Sequence, residues 1–369
     1  MAKTCTQCGA VLTGNCCSYC NAPVSLDAEK YAKGTMALSS HELNKPYIDT
    51  FGAASYALSV AAMLVIQFAV AIIAAIIMVM SGYFDLENAA FNISISLLFQ
   101  ISFTLIYFVH IKKVKARPQF NINFKMHPIW YVLSVVLGII CLICFIGITV
   151  MFVDFLEGIG LNFPRMQLIG VGIGTDILVV FTVVIAASIG EELIFRGSLL
   201  SGLIKRFSIP VAAFLSGILF SLMHMNPEQT VYQFFLGFAA AYLVIYSKSV
   251  VPGIIIHAVS NGLVILMNFW DGLHNIFNVW ADISGGWLSP IFVIIGLAII
   301  VGSCLLVNRF FNKEKVIDEI AIAHKKRQAD GNGHHTMKLG GGSFWLWIII
   351  PLIVCVIMWV IAFVTFMGG

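Results

Sequence analysis

The stretch VVFTVVIAASIGEELIFR, residues 179–196, decides the fold class because its long apolar run is typical of a membrane-spanning helix. Two adjacent carboxylates, Glu191 and Glu192, follow this run. About 20 apolar residues are enough for a helix to cross a bilayer. A charged group at bilayer depth is costly, so such residues are uncommon and usually mark a reaction site or a proton path. We therefore expect a membrane protein whose chemistry centres on this pair.

The composition of the whole chain agrees with this expectation. Hydrophobic residues make up 60% of the 369 residues and charged residues 11%, whereas soluble domains carry about a quarter charged residues. We predict an all-α polytopic membrane protein with about eight or nine transmembrane helices and a small N-terminal zinc ribbon. The net charge of +3 does not indicate a nucleic-acid partner. The predicted spans are 54–80, 90–111, 129–153, 175–205, 209–226, 230–247, 252–269, 288–308 and 344–366.

The N-terminal segment is polar and contains five of the nine cysteines. Two CxxC pairs suit a tetrahedral zinc site, since each pair supplies two thiolates from one tight turn. A disulfide cluster or a redox pair is the alternative. The segment has no apolar core typical of a signal peptide. The predicted ligands of a structural zinc ion are Cys5, Cys8, Cys17 and Cys20, with Cys16 to spare.

The distribution of charge between the loops predicts the orientation. Thiolate zinc sites need reducing surroundings, which places the N-terminus in the cytoplasm. With that choice, the basic residues at 112–117, 205–206 and 309–327 fall in cytoplasmic loops, as the positive-inside rule requires. The predicted divisions are a zinc ribbon (1–24), a linker (25–50), a transmembrane domain (51–308), a cytoplasmic loop (309–343) and a C-terminal transmembrane helix (344–369).

Helical spacing separates the roles of the charged residues. Glu192 and Arg196 stand at i and i+4, the spacing of an intrahelical ion pair. Burying both is tolerable only if they neutralise each other, so we assign them an orienting role. Glu191 points elsewhere on the helix and needs a partner from another helix. A partly desolvated carboxylate of this kind suits a general base.

Two histidines follow in later apolar runs. His224 comes one helical turn after Phe220, so the Phe220 ring would cover the helix face on which His224 lies. His257 comes one turn before Asn261 on a later span. Either histidine alone is better read as a packed core residue. Two histidines, an asparagine and two glutamates in neighbouring spans instead favour one shared polar site, because each isolated group would need its own buried partner.

The three motifs EExxxR at 191–196, FxxxH at 220–224 and HxxxN at 257–261 resemble, in the same order, those of the CAAX protease and bacteriocin-processing family of intramembrane peptidases. The resemblance covers about residues 128–270. It implies an all-helical membrane core and hydrolysis of peptide bonds in membrane-associated protein or peptide substrates. It also implies that Glu191 and His224 activate water, that His257 and Asn261 stabilise the oxyanion, and that Glu192 and Arg196 order the site.

Two mechanisms are compatible with this resemblance. In a glutamate-type mechanism Glu191 takes a proton from water held by His224. In a metal-dependent mechanism Glu191, His224 and His257 bind zinc. The chain has no HExxH motif, and we favour the mechanism without metal.

Two other classes of function remain open. A non-catalytic scaffold or immunity protein with the same fold would keep its cellular role without Glu191. A proton-coupled transporter also uses intramembrane carboxylates, but the sequence shows no convincing inverted repeat. Localisation in a prokaryotic plasma membrane is expected.

Overall fold

The computed structural model describes residues 53–81, 88–114, 120–161, 172–204, 207–311 and 343–366. The predicted zinc ribbon with Cys5, Cys8, Cys17 and Cys20, the linker and most of the loop 309–343 lie outside the described residues. The structure is about 89% helical without strands in its described part. Asn121 and Ser249 form an isolated parallel β-bridge there.

The described residues contain ten helices longer than a single short turn. They are α1 (Ala53–Ser81), α2 (Ala89–Val114), α3 (Ile129–Gly158), α4 (Ile173–Leu203), α5 (Ile209–Leu222), α6 (Thr230–Ser247), α7 (Val251–Phe269), α8 (Asp271–Ser284), α9 (Ser289–Phe311) and α10 (Ser343–Phe366).

The apolar helices confirm the all-α membrane fold class. Within the described ranges, six helices are long and apolar enough to cross a membrane, namely α2, α3, α4, α6 with the short turn before it, α7, and α9 with the turn before it. Shorter apolar stretches at Ser59–Ala74, Ile209–Leu222 and Leu352–Ile361 lie within α1, α5 and α10. Large apolar side chains on α1, α2, α9 and α10 are exposed, as expected for surfaces that face lipid rather than water.

Helix α6 lies at the centre of the bundle and packs against α3, α5, α7 and α9. Its middle contains small residues, Gly237 and Ala239 to Ala241, all of them buried. Small side chains let helix backbones approach closely in a membrane, where van der Waals packing rather than the hydrophobic effect drives association. Helix α4 contacts α1 and α2 on one side and α7 on another. This arrangement places the carboxylate pair between α2 and α7.

Two features differ from the sequence-based expectation. Residues 270–287 lie between two of the predicted spans, with no helix predicted there, but they contain α8, whose polar and apolar residues alternate with helical periodicity and therefore do not form a long apolar run. Helix α5 ends at Leu222 rather than at 226. His224 therefore lies in the turn after the helix, where Met225 has a positive φ of 52°.

Candidate active site

The Glu191 carboxylate contacts side chains from three other segments of the fold. Its Oε1 accepts a hydrogen bond of 2.8 Å from Nε2 of Gln100 on α2. Its Oε2 lies 3.7 Å from Nε2 of His224 and 4.0 Å from Nε2 of His257. The side chain is 13% exposed. Glu191 thus has interhelical partners, as expected for a carboxylate without a partner in its own helix.

The neighbouring carboxylate of Glu192 is fully buried in an ion pair with Arg196. Nη1 of Arg196 donates to Oε1 of Glu192 at 2.7 Å, and Nη2 donates to the backbone oxygen of Gly237 at 2.9 Å. Neither side chain has any exposed surface. Because each charge would be very costly alone in this position, the two residues stabilise each other.

Glu192 also fixes the orientation of His257. Nδ1 of His257 lies 3.1 Å from Oε1 of Glu192. An ionised carboxylate only accepts hydrogen bonds, so Nδ1 carries the proton and donates it. Nε2 on the other side of the ring then faces Glu191. The buried ion pair is thereby connected directly to the group of atoms around Glu191.

His224 is oriented in a similar way by the end of α5. The last carbonyls of a helix have no partner within the helix, and the Phe220 carbonyl lies 2.8 Å from Nδ1 of His224. A carbonyl oxygen only accepts, so Nδ1 is the protonated nitrogen. Nε2 is left to face Oε2 of Glu191.

The Phe220 ring packs against His224, as its position one turn before that residue predicts. This fully buried ring lies 4.3 Å from Cζ of Arg196. The same ring makes edge contacts with His224 at 4.8 Å and with His257 at 5.5 Å between ring centroids. One aromatic side chain therefore packs against both imidazoles and the guanidinium, and holds their relative positions.

Asn261 lies on α7 one turn after His257. Its Nδ2 donates a hydrogen bond of 2.9 Å to the carbonyl of Val183 in α4. Val183 belongs to a π-helical segment, Val180–Ala186, and a second one, Leu193–Leu199, follows the glutamates. Single π-helical turns inside α-helices occur frequently at functional sites. An asparagine amide has two N–H groups, and the contact with Val183 engages one of them.

Gln100 is the residue at this site that the sequence analysis missed. The only signal was an amide side chain within the apolar run of α2, a position where polar groups are expensive. Sequence spacing does not indicate which helix such a residue contacts, because α2 and α4 are separated by a long stretch of chain.

The atoms that would hold a metal are Oε2 of Glu191 and Nε2 of both histidines. Two imidazoles and one carboxylate are a donor set of catalytic zinc sites, and each Nδ1 is bonded to an acceptor as in such sites. Tetrahedral zinc ligands stand about 3.4 Å apart, and the observed separations of 3.7 and 4.0 Å are slightly longer. Within the described ranges, no group of three His, Cys, Asp or Glu side chains has the arrangement of a formed metal site.

Substitution of Gly190 by alanine is expected to disturb this site through backbone packing. A Cβ at Gly190 would lie 2.7 Å from the backbone oxygen of Gln100 and 3.0 Å from its Oε1. Helices α2 and α4 would have to separate, at a cost of roughly 1–3 kcal/mol. We expect Gly190→Ala to lower the thermal unfolding temperature in detergent. Gly302→Ala is the matched control, since a Cβ there meets nothing within 4 Å, and an unchanged unfolding temperature in Gly190→Ala would contradict the packing described.

A comparison with protein families agrees with the geometry. Residues 173–263 match the family model described as Type II CAAX prenyl endopeptidase Rce1-like. The comparisons with curated proteins and with solved structures gave no significant match. The matched segment runs from α4 into α7 and includes all three motifs, and it excludes Gln100. The resemblance predicted from the motifs is therefore confirmed: over residues 173–263 the chain is similar to the Rce1-like type II CAAX prenyl endopeptidases, a family of intramembrane proteases.

Proposed function

We propose that the protein is an intramembrane endopeptidase that cleaves peptide bonds of membrane-associated proteins or peptides. The observation that carries this proposal is the convergence of three groups on one point. Oε2 of Glu191 lies 3.7 and 4.0 Å from Nε2 of His224 and His257. Separations above 3.5 Å between polar atoms are of the length that one bridging water spans.

In the proposed reaction this water is the nucleophile. Its two hydrogens face Oε2 of Glu191 and Nε2 of His224, the two acceptors. Glu191 takes one proton as the oxygen attacks the substrate's carbonyl carbon and forms a tetrahedral intermediate. When the C–N bond breaks, the same proton passes to the leaving nitrogen, so that acid and amine products form and Glu191 is again ionised. General acid–base catalysis of this kind contributes about 10²–10⁴-fold.

His257 and Asn261 are proposed to stabilise the oxyanion of this intermediate. Because Nδ1 of His257 donates to Glu192, donation to an oxyanion requires a second proton on Nε2. For Asn261, the donor would be the N–H that is not engaged by Val183. Loss of one oxyanion donor costs about 10²–10³-fold in rate.

The experiment that tests this function compares protein termini in membrane fractions. Cells carrying the wild-type chain and cells carrying Glu191→Gln are analysed by mass spectrometry of N- and C-terminal peptides. We expect a defined set of new termini that is present with the wild type and absent with the variant. Identical termini, together with a cellular phenotype that the variant still complements, would instead indicate a non-catalytic scaffold.

The metal-dependent mechanism is the second candidate, because both Nδ1 atoms are bonded to acceptors and both Nε2 atoms face one carboxylate. A zinc ion held by Glu191, His224 and His257 would supply Lewis-acid activation of water. The types of donor are those of such a site, but the described residues do not have the arrangement of a formed metal site. We propose the mechanism without metal, in which the chain binds zinc in its N-terminal segment alone.

Zinc content distinguishes the two mechanisms. We expect about one zinc ion per purified wild-type chain, and none in the variant in which Cys5 and Cys8 are replaced by serine. We also expect the wild-type protein to retain peptide cleavage after treatment with a chelator. Elemental analysis of both proteins and cleavage assays before and after chelator measure this. A zinc ion that persists in the cysteine variant, and whose removal abolishes cleavage, would establish the metal-dependent mechanism.

Orientation and environment complete the proposal. We place the N-terminus in the cytoplasm of a prokaryotic cell and the helical domain in its plasma membrane, on the loop charges and the thiolate chemistry given above. The bilayer and a membrane-associated substrate are the partners this implies. We do not propose nucleic-acid binding.

A further inference from the structure

We infer that Gln100 is a positioning residue for Glu191, an inference that rests on the function proposed above. Its Nε2 donates to Oε1 of Glu191 at 2.8 Å. With Oε1 held in this way, Oε2 is the carboxylate oxygen that faces the two imidazoles. Gln100 thus determines which oxygen is the base and where it lies.

The packing of α2 against α4 is arranged around this contact. Gly190 directly precedes Glu191, and a Cβ at Gly190 would lie 3.0 Å from Oε1 of Gln100 and 2.7 Å from its backbone oxygen. The glycine therefore gives the amide room to reach the carboxylate. Oε1 of Gln100 is buried and has no hydrogen-bond partner in the described part of the chain. An apolar residue here would avoid that cost, so the amide is poorly explained by packing alone.

Gln100 also lies outside the segment that matches the family model. The matched residues 173–263 supply the acid, both histidines and the asparagine, but they do not supply a donor for Oε1 of Glu191. In this chain the donor comes from α2. The site is therefore completed by a helix that the three motifs do not include.

The test uses purified full-length protein in detergent and a peptide copied from a cleavage junction found in the termini comparison. Gln100→Leu removes the donor with little change in volume. We expect kcat to fall about tenfold or more, with KM within about twofold and an unchanged thermal unfolding temperature. Gln67→Leu on α1 is the control, because Oε1 of Gln67 is also buried and has no hydrogen-bond partner among the described residues. We expect this variant to leave kcat unchanged.

Glu191→Gln is measured in parallel so that two kinds of failure are distinguishable. If Glu191→Gln is inactive and Gln100→Leu has the wild-type kcat, the positioning role is wrong and the proposed function stands. If Glu191→Gln is fully active, both the proposed function and the positioning role are wrong. Recovery of part of the lost kcat in Gln100→His, which restores an N–H donor at this position, would support positioning over a merely structural role.

A second inference comes independently from α8. At about 100° per residue, this helix presents three distinct faces. One face packs on α3, where Nε1 of Trp280 donates to the carbonyl of Ile143 at 2.8 Å. The other two faces are exposed: a polar one with Asp271, Asn275, Asn278 and Asp282, and an apolar one with Ile276, Val279 and Ile283.

We propose that α8 lies in the membrane–water interface with its apolar face in the acyl chains of the surrounding bilayer. Ile276, Val279 and Ile283 are 64%, 58% and 53% exposed. Further along the chain, Trp287 is 96% exposed, and Ile291 and Ile294 on the membrane-spanning helix α9 are also exposed. Tryptophan is enriched at membrane interfaces, and a helix with one polar and one apolar face suits that location.

Photo-crosslinking tests this location. A photoreactive amino acid is placed at Val279, or at Asn278 as the control on the polar face, and the full-length protein is irradiated in phosphatidylethanolamine–phosphatidylglycerol vesicles. We expect phospholipid adducts by mass spectrometry at Val279 and at least fivefold fewer at Asn278. Equal lipid adducts at both positions, or a crosslink from Val279 to a second copy of the chain in place of lipid, would overturn the proposal.

Discussion

Replacing Glu191 by glutamine is expected to reduce peptide cleavage by about 10³-fold or more. The amide keeps the size of the side chain and can still contact Gln100, but it cannot accept a proton from water. General base catalysis is worth about 10²–10⁴-fold. Single-turnover cleavage of a peptide taken from an identified junction measures the loss, with the protein in detergent.

The matched control for this substitution is Asp176→Asn. Asp176 is another acidic residue of α4 and lies in its first turn, far along the helix from the site. We expect wild-type cleavage in this variant. A Glu191→Gln protein that retains more than about a tenth of the wild-type rate would show that Glu191 is not the base.

Replacing Arg196 by methionine is expected to have the largest effect on stability. The guanidinium is fully buried against Glu192 and the Gly237 carbonyl, so its removal leaves a buried carboxylate without its counter-ion. Breaking a buried pair by removing one partner typically costs about 3–5 kcal/mol. We expect a lower unfolding temperature and a lower yield of folded protein in detergent.

A second substitution separates charge from packing in this effect. Glu192→Gln combined with Arg196→Met removes both charges, so we expect the double variant to be more stable than Arg196→Met alone. Its cleavage rate should remain low, because His257 loses the carboxylate that orients it. Arg309→Met at the end of α9 is the control for loss of an arginine. A double variant as unstable as Arg196→Met would mean that packing rather than charge dominates.

Local spacing was enough to predict the contacts made within one helix. The Glu192–Arg196 ion pair follows from the i, i+4 positions, and it forms in the structure at 2.7 Å. The packing of the Phe220 ring against His224 follows from the same helical geometry. Such contacts depend only on the rise and turn of a helix, which are the same in any fold.

Contacts between different helices were harder to predict from the sequence. The sequence indicated that Glu191 needs a partner, but it did not identify Gln100, because the approach of α2 depends on how the bundle packs around Gly190. The end of α5 was predicted at residue 226, whereas the helix ends at Leu222. The prediction was late because apolar residues continue past Leu222, although the backbone leaves the helix and has a positive φ at Met225. Helix α8 was missed because a search for long apolar runs does not detect an amphipathic helix.

The most direct test of the central claim is a double-mutant cycle between Glu191 and His224. Cleavage is measured for Glu191→Gln, for His224→Ala and for the variant that carries both. Residues that activate the same water act as a unit, and removing the second then costs little more than removing the first. We therefore predict that the double variant cleaves at a rate within about threefold of Glu191→Gln. Losses that multiply would mean that the two residues act independently, which would contradict a single catalytic centre.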